Sequence, residues 1–155
     1  MRAHRRAARD RDHPSPDLGY PRDRMPDPLN GPAKRVVIGE DDEPIAVLLR
    51  DAINDQPGYQ AVVVADGRKA LDGARDGHPD LLILDIMMPG LSGFEVYDRI
   101  RADAATATLP VLFISAAVDH FAEDFLRRGI TDVIAKPFEL NDVLDRVRAI
   151  CPPAA

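Results

Sequence analysis

Leu81-Leu82-Ile83-Leu84-Asp85-Ile86-Met87-Met88-Pro89-Gly90 is the stretch whose reading decides the fold. Four apolar residues run straight into a carboxylate, and a Pro-Gly pair turns the chain soon afterwards. A continuous apolar run of this length, punctuated by polar residues on both sides, reads as a strand buried on both faces. Asp85 then stands at its carboxyl end. In open parallel α/β sheets that end is where ligands bind. A carboxylate held there is a metal ligand, a nucleophile or a cap on the next helix.

Working outward, the same grammar repeats. Arg35-Val36-Val37-Ile38-Gly39 is a β-branched run that stops at the acidic cluster Glu40-Asp41-Asp42-Glu43. Pro44 suits the first turn of a helix, where its missing N–H costs nothing. Ile45, Leu48, Leu49, Ala52 and Ile53 follow at three- and four-residue steps, the spacing of an amphipathic helix. Tyr59 to Ala65 is a second strand, broken by Asp66-Gly67 and followed by a helix around Ala70, Leu71 and Ala74. Beyond the opening stretch, Phe94, Val96, Tyr97 and Ile100 mark a third helix. Val111-Leu112-Phe113-Ile114 is a fourth strand ending at Ser115. A helix from Asp119 to Arg128 stops at Gly129, a natural residue just past a helix end. Asp132-Val133-Ile134-Ala135 is a short fifth strand ending at Lys136-Pro137, and Leu140, Val143, Leu144, Val147 and Ile150 line a last helix. Strands alternating with helices predict an α/β fold: a five-stranded parallel sheet, doubly wound, with right-handed crossovers. The domain is expected over residues 33–151, with a tail at 152–155.

Residues 1–32 differ in kind. They hold seven arginines, five aspartates and scattered prolines without apolar period, and are expected to be disordered. The rest of the chain carries thirteen basic against twenty-one acidic side chains. Such a domain repels phosphate backbones, so direct nucleic-acid binding by it is not expected. Aromatic residues make up 5% with no Trp, too few for a base-stacking platform. Cys151 is the only cysteine, which excludes an intramolecular disulfide and suits a reducing, cytoplasmic setting. No apolar run approaches spanning length and no signal-type segment follows the first arginines, so no membrane partner is expected.

Four of the five expected strands end in a residue capable of chemistry: Glu40 and Asp41, Asp85, Ser115 and Lys136. All would lie on one edge of a parallel sheet. If the first and third strands are neighbours, about 4.8 Å apart, three carboxylates meet. Two carboxylates about 4 Å apart repel by roughly 4 kcal/mol at an effective dielectric near 20. Such a cluster takes a cation or a proton, and oxygen-only ligands suit Mg²⁺ or Mn²⁺. Lys136, two strands from Asp85 and roughly 10 Å away at backbone level, reaches most of that gap and would set its ammonium opposite the metal. A carboxylate between a divalent cation and an ammonium, with a hydroxyl nearby, is arranged for phosphoryl transfer. Asp85 would attack phosphorus and become an acyl phosphate.

These residues resemble the receiver domain of response regulators, the chemotaxis-receiver type of two-component signalling. The matching residues are Glu40-Asp41, Asp85 to Gly90 with Gly93, Ser115-Ala116 and Lys136-Pro137-Phe138, and the resemblance covers about residues 33–150. It implies the flavodoxin-like strand order 2-1-3-4-5. It also implies a phosphoacceptor at Asp85, and Mg²⁺ held by Glu40 (often through water), Asp41, Asp85 and the backbone carbonyl of Met87. Ser115 and Lys136 would contact the phosphoryl group. The donor would be a histidine kinase or a histidine phosphotransfer protein. With only a short tail after the last helix, a stand-alone receiver is expected, its output passing to a downstream protein, through a phosphorylation-dependent homodimer or as an intermediate in a phosphorelay. The surface expected to change is formed by the fourth and fifth helices with the fifth strand.

Two departures from the family carry weight. Where it often has an aromatic switch residue, this chain has Val133, which has no large swing to make; Phe113 and Phe121 are the candidate substitutes. Met87 and Ala117 occupy positions that often tune hydrolysis of the acyl phosphate, and neither side chain orients a water. A long-lived phosphorylated state is therefore expected. Two rivals stand beside the switch: a phosphorylation-independent scaffold, and a haloacid-dehalogenase-type phosphatase. The latter carries a second Asp two residues after its nucleophile, where this chain has Met87, so a turnover enzyme is not expected. Asp42 and Glu43 read as first-turn helix acids rather than ligands. His4, His13, His78 and His120 lack any metal spacing, and Phe138 reads as core.

Overall fold

The structure, a computed structural model, describes residues 18–20 and 32–154. Five strands, β1 (Lys34–Gly39), β2 (Tyr59–Val64), β3 (Leu81–Leu84), β4 (Val111–Ser115) and β5 (Val133–Ala135), alternate with five helices, α1 (Glu43–Asn54), α2 (Gly67–Asp76), α3 (Gly93–Ala102), α4 (Ala122–Arg128) and α5 (Leu140–Ile150). The strands form one sheet in the order β2-β1-β3-β4-β5, and every neighbouring pair is parallel. The expected α/β architecture and strand order are therefore the observed ones.

The sheet is buried on both faces because its strands alternate between two cores. Val37, Leu82, Leu84, Val111 and Phe113 point to one side, where they meet Leu71, Val96 and Ile100 of α2 and α3. Val36, Ile38, Leu81, Ile83, Leu112 and Ile114 point to the other, against Leu49 and Ile53 of α1 and Val143 and Val147 of α5. All four residues of β3 are at most 1% exposed, as a central strand requires. Each such aliphatic side chain contributes roughly 1.5–3 kcal/mol by leaving water.

Local chemistry sets the helix ends. Asp42 caps α1 by accepting from the Ile45 amide at 3.3 Å, and Asp66 caps α2 by accepting from Lys69 at 2.7 Å. Ser92 and Glu95 form a reciprocal capping box at the start of α3. Gly129 closes α4 in the left-handed region, φ 66°, as expected of it. The start of α4 differs from the sequence expectation. Residues 116–121 form turns, so the helix begins at Ala122 instead of Asp119. Phe121 takes the position before the first turn and packs its ring edge-on against Phe94, centroids 5.6 Å apart. Arg128 then ties α4 to α3: its guanidinium lies 4.5 Å from the Phe94 ring centre and reaches both Asp98 oxygens at 2.8 and 3.0 Å.

Within the segment expected to be disordered, the structure describes Leu18, Gly19 and Tyr20, which form no helix or strand. Leu18 and Tyr20 pack against the core on the α2 side. Leu18 Cδ1 sits so close to Gly77 that a Cβ there would lie 2.3 Å away. Arg35 stacks over the Tyr20 ring at 5.1 Å. One leucine and one tyrosine, each with an apolar surface to cover, offset the ordering cost of a short segment that composition alone reads as unfolded. Residues 1–17, with His4 and His13, and residues 21–31 of the expected disordered arm lie outside the described residues.

The Tyr20 hydroxyl is buried with no hydrogen-bond partner among the described residues. Burial pushes its phenol up from 10.0 to about 12, with Arg35 pulling it down and Asp80 adding to the rise. Because the folded value is the higher one, stability is whole below pH 10 and falls as pH rises through 12. Tyr20→Phe is therefore expected to raise stability by about 1 kcal/mol at neutral pH, by removing an unpaired buried hydroxyl. It should also flatten the alkaline decline. Urea unfolding of both proteins at pH 7 and 11 checks this; a less stable variant at both values would contradict it.

Candidate functional site

Sheet register builds the site. Gly39 of β1 stands opposite Leu84 of β3, so the residues that follow them, Glu40 and Asp85, emerge side by side. The backbone confirms the level: the Asp85 amide donates to the Gly39 carbonyl at 3.0 Å. On the other flank, Ser115 pairs with Ala135 and accepts from the Lys136 amide at 2.9 Å. Four strand ends thus place five polar side chains along one edge. Glu40, Asp85 and Ser115 are buried, and Asp41 is exposed.

Glu40, Asp41 and Asp85 each offer one carboxylate oxygen, and the three oxygens lie within 4.8 Å of one another. Lys136 lies where its ammonium serves two of them at once: Nζ donates to Asp85 Oδ2 at 2.7 Å and to Glu40 Oε2 at 2.8 Å. The ammonium thus sits between Asp85 and Glu40. The reason is charge: these two carboxylates are the buried ones, and a buried anion needs a partner. The other Glu40 oxygen, Oε1, accepts from the Asp42 amide at 3.1 Å, and Asp85 Oδ1 accepts from the Met87 amide at 3.3 Å.

Titration follows the same forces. Burial pushes the Glu40 carboxyl above its ordinary value; the Lys136 hydrogen bond pulls against this and the Asp85 charge adds to it. For Lys136, burial pulls downward, but hydrogen bonds to Asp85 and Glu40 and their charges more than reverse it, so the ammonium is held above its ordinary value. Three carboxylates against one ammonium leave an excess of negative charge. That excess, presented by oxygen ligands at a partly open edge, suits a hard divalent cation.

The remaining expected residues fall as follows. Met87 follows Asp85 on the loop to α3, its side chain pointing out and 65% exposed. Ala117 donates its amide to Ser115 Oγ at 3.2 Å, so the hydroxyl organises its own loop and does not cap α4. Val133 is half-buried on β5. Phe113 is sealed in the core, whereas Phe121 sits half-buried at the start of α4. Glu43 is a first-turn acid, as expected, whereas Asp42 stands one position earlier, as the helix cap. Phe138 packs against the core on the α1 and α5 side, also as expected. His78 and His120 are exposed, and Cys151 is buried beside the Tyr59 hydroxyl, which donates to its carbonyl at 2.6 Å. Sequence reasoning passed over Gly67, which read only as a strand breaker. In the structure it opens α2 and donates its amide to the Pro89 carbonyl, on the loop that follows Asp85.

Comparison with known proteins agrees with this geometry. The family model for the response regulator receiver domain matches residues 36–148. The chain is 33% identical over 117 residues to the DNA-binding response regulator MtrA of Mycolicibacterium paratuberculosis, covering 75% of this chain and 50% of that protein. It thus spans about half the length of the curated relatives it matches. A solved putative response regulator from Chloroflexus aurantiacus superposes with a TM-score of 0.69 at 32% identity, covering 77% of this chain and 98% of that one. The receiver domain of a Pseudomonas aeruginosa sensor histidine kinase, solved with magnesium coordinated in its active-site cleft, superposes with a TM-score of 0.65 at 28% identity. That match covers 76% of this chain and 98% of the other.

Lys136 is the residue whose loss the centre should feel most. Lys136→Met keeps the side-chain length and removes the charge, leaving Asp85 and Glu40 facing each other in a buried setting. A destabilisation of about 3 kcal/mol at pH 7 is expected, because breaking a buried pair strands its partner. The loss should shrink when Mg²⁺ is added. Urea unfolding with and without the cation measures both; a variant as stable as the parent would show that the ammonium does not hold the carboxylates together.

Proposed function

The chain belongs to the response-regulator receiver family, and from that premise we propose that it is a phosphorylation switch with Asp85 as its phosphoacceptor. One observation carries the reading: three carboxylate oxygens within 4.8 Å, with an ammonium 2.7 Å from Asp85 and a serine hydroxyl on the adjoining strand end. Glu40, Asp41 and Asp85, with the Met87 carbonyl, would hold Mg²⁺, which supplies charge neutralisation for a phosphoryl group. Receiver domains bind Mg²⁺ in this acidic pocket, and the cluster here has the ligand chemistry for it.

The chain's own residues do the rest. An Asp85 carboxylate oxygen attacks phosphorus of a phosphohistidine on a kinase or phosphotransfer protein. The P–N bond breaks, its electron pair leaves with the imidazole nitrogen, and an acyl phosphate remains on Asp85. Lys136 follows the charge from the carboxylate to the phosphoryl oxygens. Ser115 Oγ–H donates to one of them, drawing the 116–121 loop inward. Water later attacks phosphorus, giving inorganic phosphate and the free carboxylate. Met87 turns its side chain outward and Ala117 has nothing to orient that water, so the phosphorylated form is long-lived. This favours a switch over a turnover enzyme.

Output passes to another protein or a second copy through the face made by α4, β5 and α5. Leu126 on α4, 80% exposed, is the apolar anchor available there. The domain acts without nucleic-acid contact of its own, since the chain beyond residue 32 carries excess acid. It works in the cytoplasm; among the described residues no helix is long and apolar enough to cross a membrane. Phosphorylation moves this face only by the difference in affinity between two conformers.

Incubation with acetyl phosphate and Mg²⁺, followed by intact-mass measurement, tests the reading. One phosphoryl group per chain is expected, absent in Asp85→Asn and without the cation, and lost over minutes or longer. No adduct in the parent protein would favour the phosphorylation-independent scaffold, for which Val133 is the supporting feature. A half-time of seconds would refute the long-lived state, and multiple turnovers on phosphate esters would favour the phosphatase.

A further inference from the structure

The loop that follows Asp85 is held from two sides, and both holds require glycine. At its far end Gly93 opens α3: its amide donates to the Ile86 carbonyl at 2.8 Å, and a Cβ there would lie 2.3 Å from the Asp85 carbonyl oxygen. From the other side comes α2. Gly67, its first residue, is buried and donates its amide to the Pro89 carbonyl at 3.1 Å. A Cβ on Gly67 would lie 1.8 Å from the Leu91 carbonyl oxygen and 2.6 Å from its carbon. These are backbone atoms, so no side chain can rotate away to make room. Gly67 lies within a helix and not in the left-handed region, so conformational freedom does not explain the glycine. Helix propensity argues against it, since alanine is better by about 1 kcal/mol. What requires a hydrogen at this position is the close approach of two backbones.

We infer that Gly67 is a positioning residue for the Asp85 centre: by letting the first turn of α2 rest directly on residues 89–91, it fixes the loop that carries the Met87 carbonyl. This rests on the proposed phosphoacceptor reading and extends it to an element that contributes no ligand. A methyl group at 67 lifts the loop off α2. The carbonyl moves out of reach while Glu40, Asp41 and Lys136, held by other strands, stay in place. The effect falls on cation affinity more than on the fold.

The test compares Gly67→Ala with Gly73→Ala, a buried glycine in the same helix whose Cβ would meet Val37 at an ordinary 3.4 Å. Calorimetric titration with Mg²⁺ is expected to show affinity about tenfold weaker for Gly67→Ala, the usual cost of losing a support behind a ligand, and within about twofold of the parent for Gly73→Ala. A Gly67→Ala protein that is less stable to urea but binds Mg²⁺ as the parent does would reduce Gly67 to a packing role and overturn the inference. If Gly67→Ala does not fold, amide hydrogen exchange of the parent protein decides. Saturating Mg²⁺ should slow exchange at the Gly67 amide, because opening the 67–89 bond releases the cation, and should leave the Gly77 amide at the other end of α2 unchanged. Equal effects at both amides would overturn it. A parent protein that neither binds Mg²⁺ nor takes a phosphoryl group overturns both the inference and the function beneath it.

Discussion

The contact on which this site depends is the fork made by Lys136 Nζ, 2.7 Å from Asp85 and 2.8 Å from Glu40. It joins β5, β3 and β1 at one point, across a sheet whose strand ends would otherwise present buried like charges. Two buried carboxylates with no counter-charge would protonate or separate. With the ammonium between them they stay together and remain poised to exchange partners. The proposed function needs the same property: Lys136 would stabilise the carboxylate before phosphoryl transfer and the phosphoryl oxygens after it. Arginine would not substitute simply, since a planar fork and a compact point charge neutralise different geometries.

Around that contact the fold works by register. Gly39 opposite Leu84 and Ser115 opposite Ala135 are the two pairings that bring separate strand ends level. A one-residue slip in either pair would turn its site side chain to the opposite face. The apolar strands make such a slip costly, because Val36, Val37 and Ile38, and all of β3, are buried. The core therefore fixes the chemistry indirectly, by specifying the register.

Much of this was legible in the sequence. The strand runs, the helix stop at Gly129 and the polar residues on four of the five strand ends were readable because burial and capping are local in their demands. The adjacency of β1 and β3 was not, since no local pattern encodes which parallel strands are neighbours; it came with the family resemblance. The start of α4 was placed three residues early because no local signal marks it, whereas Phe121, packed on Phe94, takes the position before its first turn. The docking of Leu18 and Tyr20 was hidden because two apolar side chains in a polar tract carry no period. Gly67 was hidden for a similar reason: its demand comes from Leu91, far along the chain. Val133 remains the main departure at the site. The half-buried Phe121, on the loop that Ser115 organises and edge-on to Phe94, gives α4 an aromatic contact that does not pass through β5.

The central claim is that one particular carboxylate, Asp85, forms the acyl phosphate. Borohydride reduction measures it most directly, because it converts an aspartyl phosphate to homoserine that peptide mass spectrometry can place in the sequence. After phosphorylation in the presence of Mg²⁺, the account predicts homoserine at position 85 and at no other aspartate. Homoserine at position 41 or 42, or at none, would contradict it.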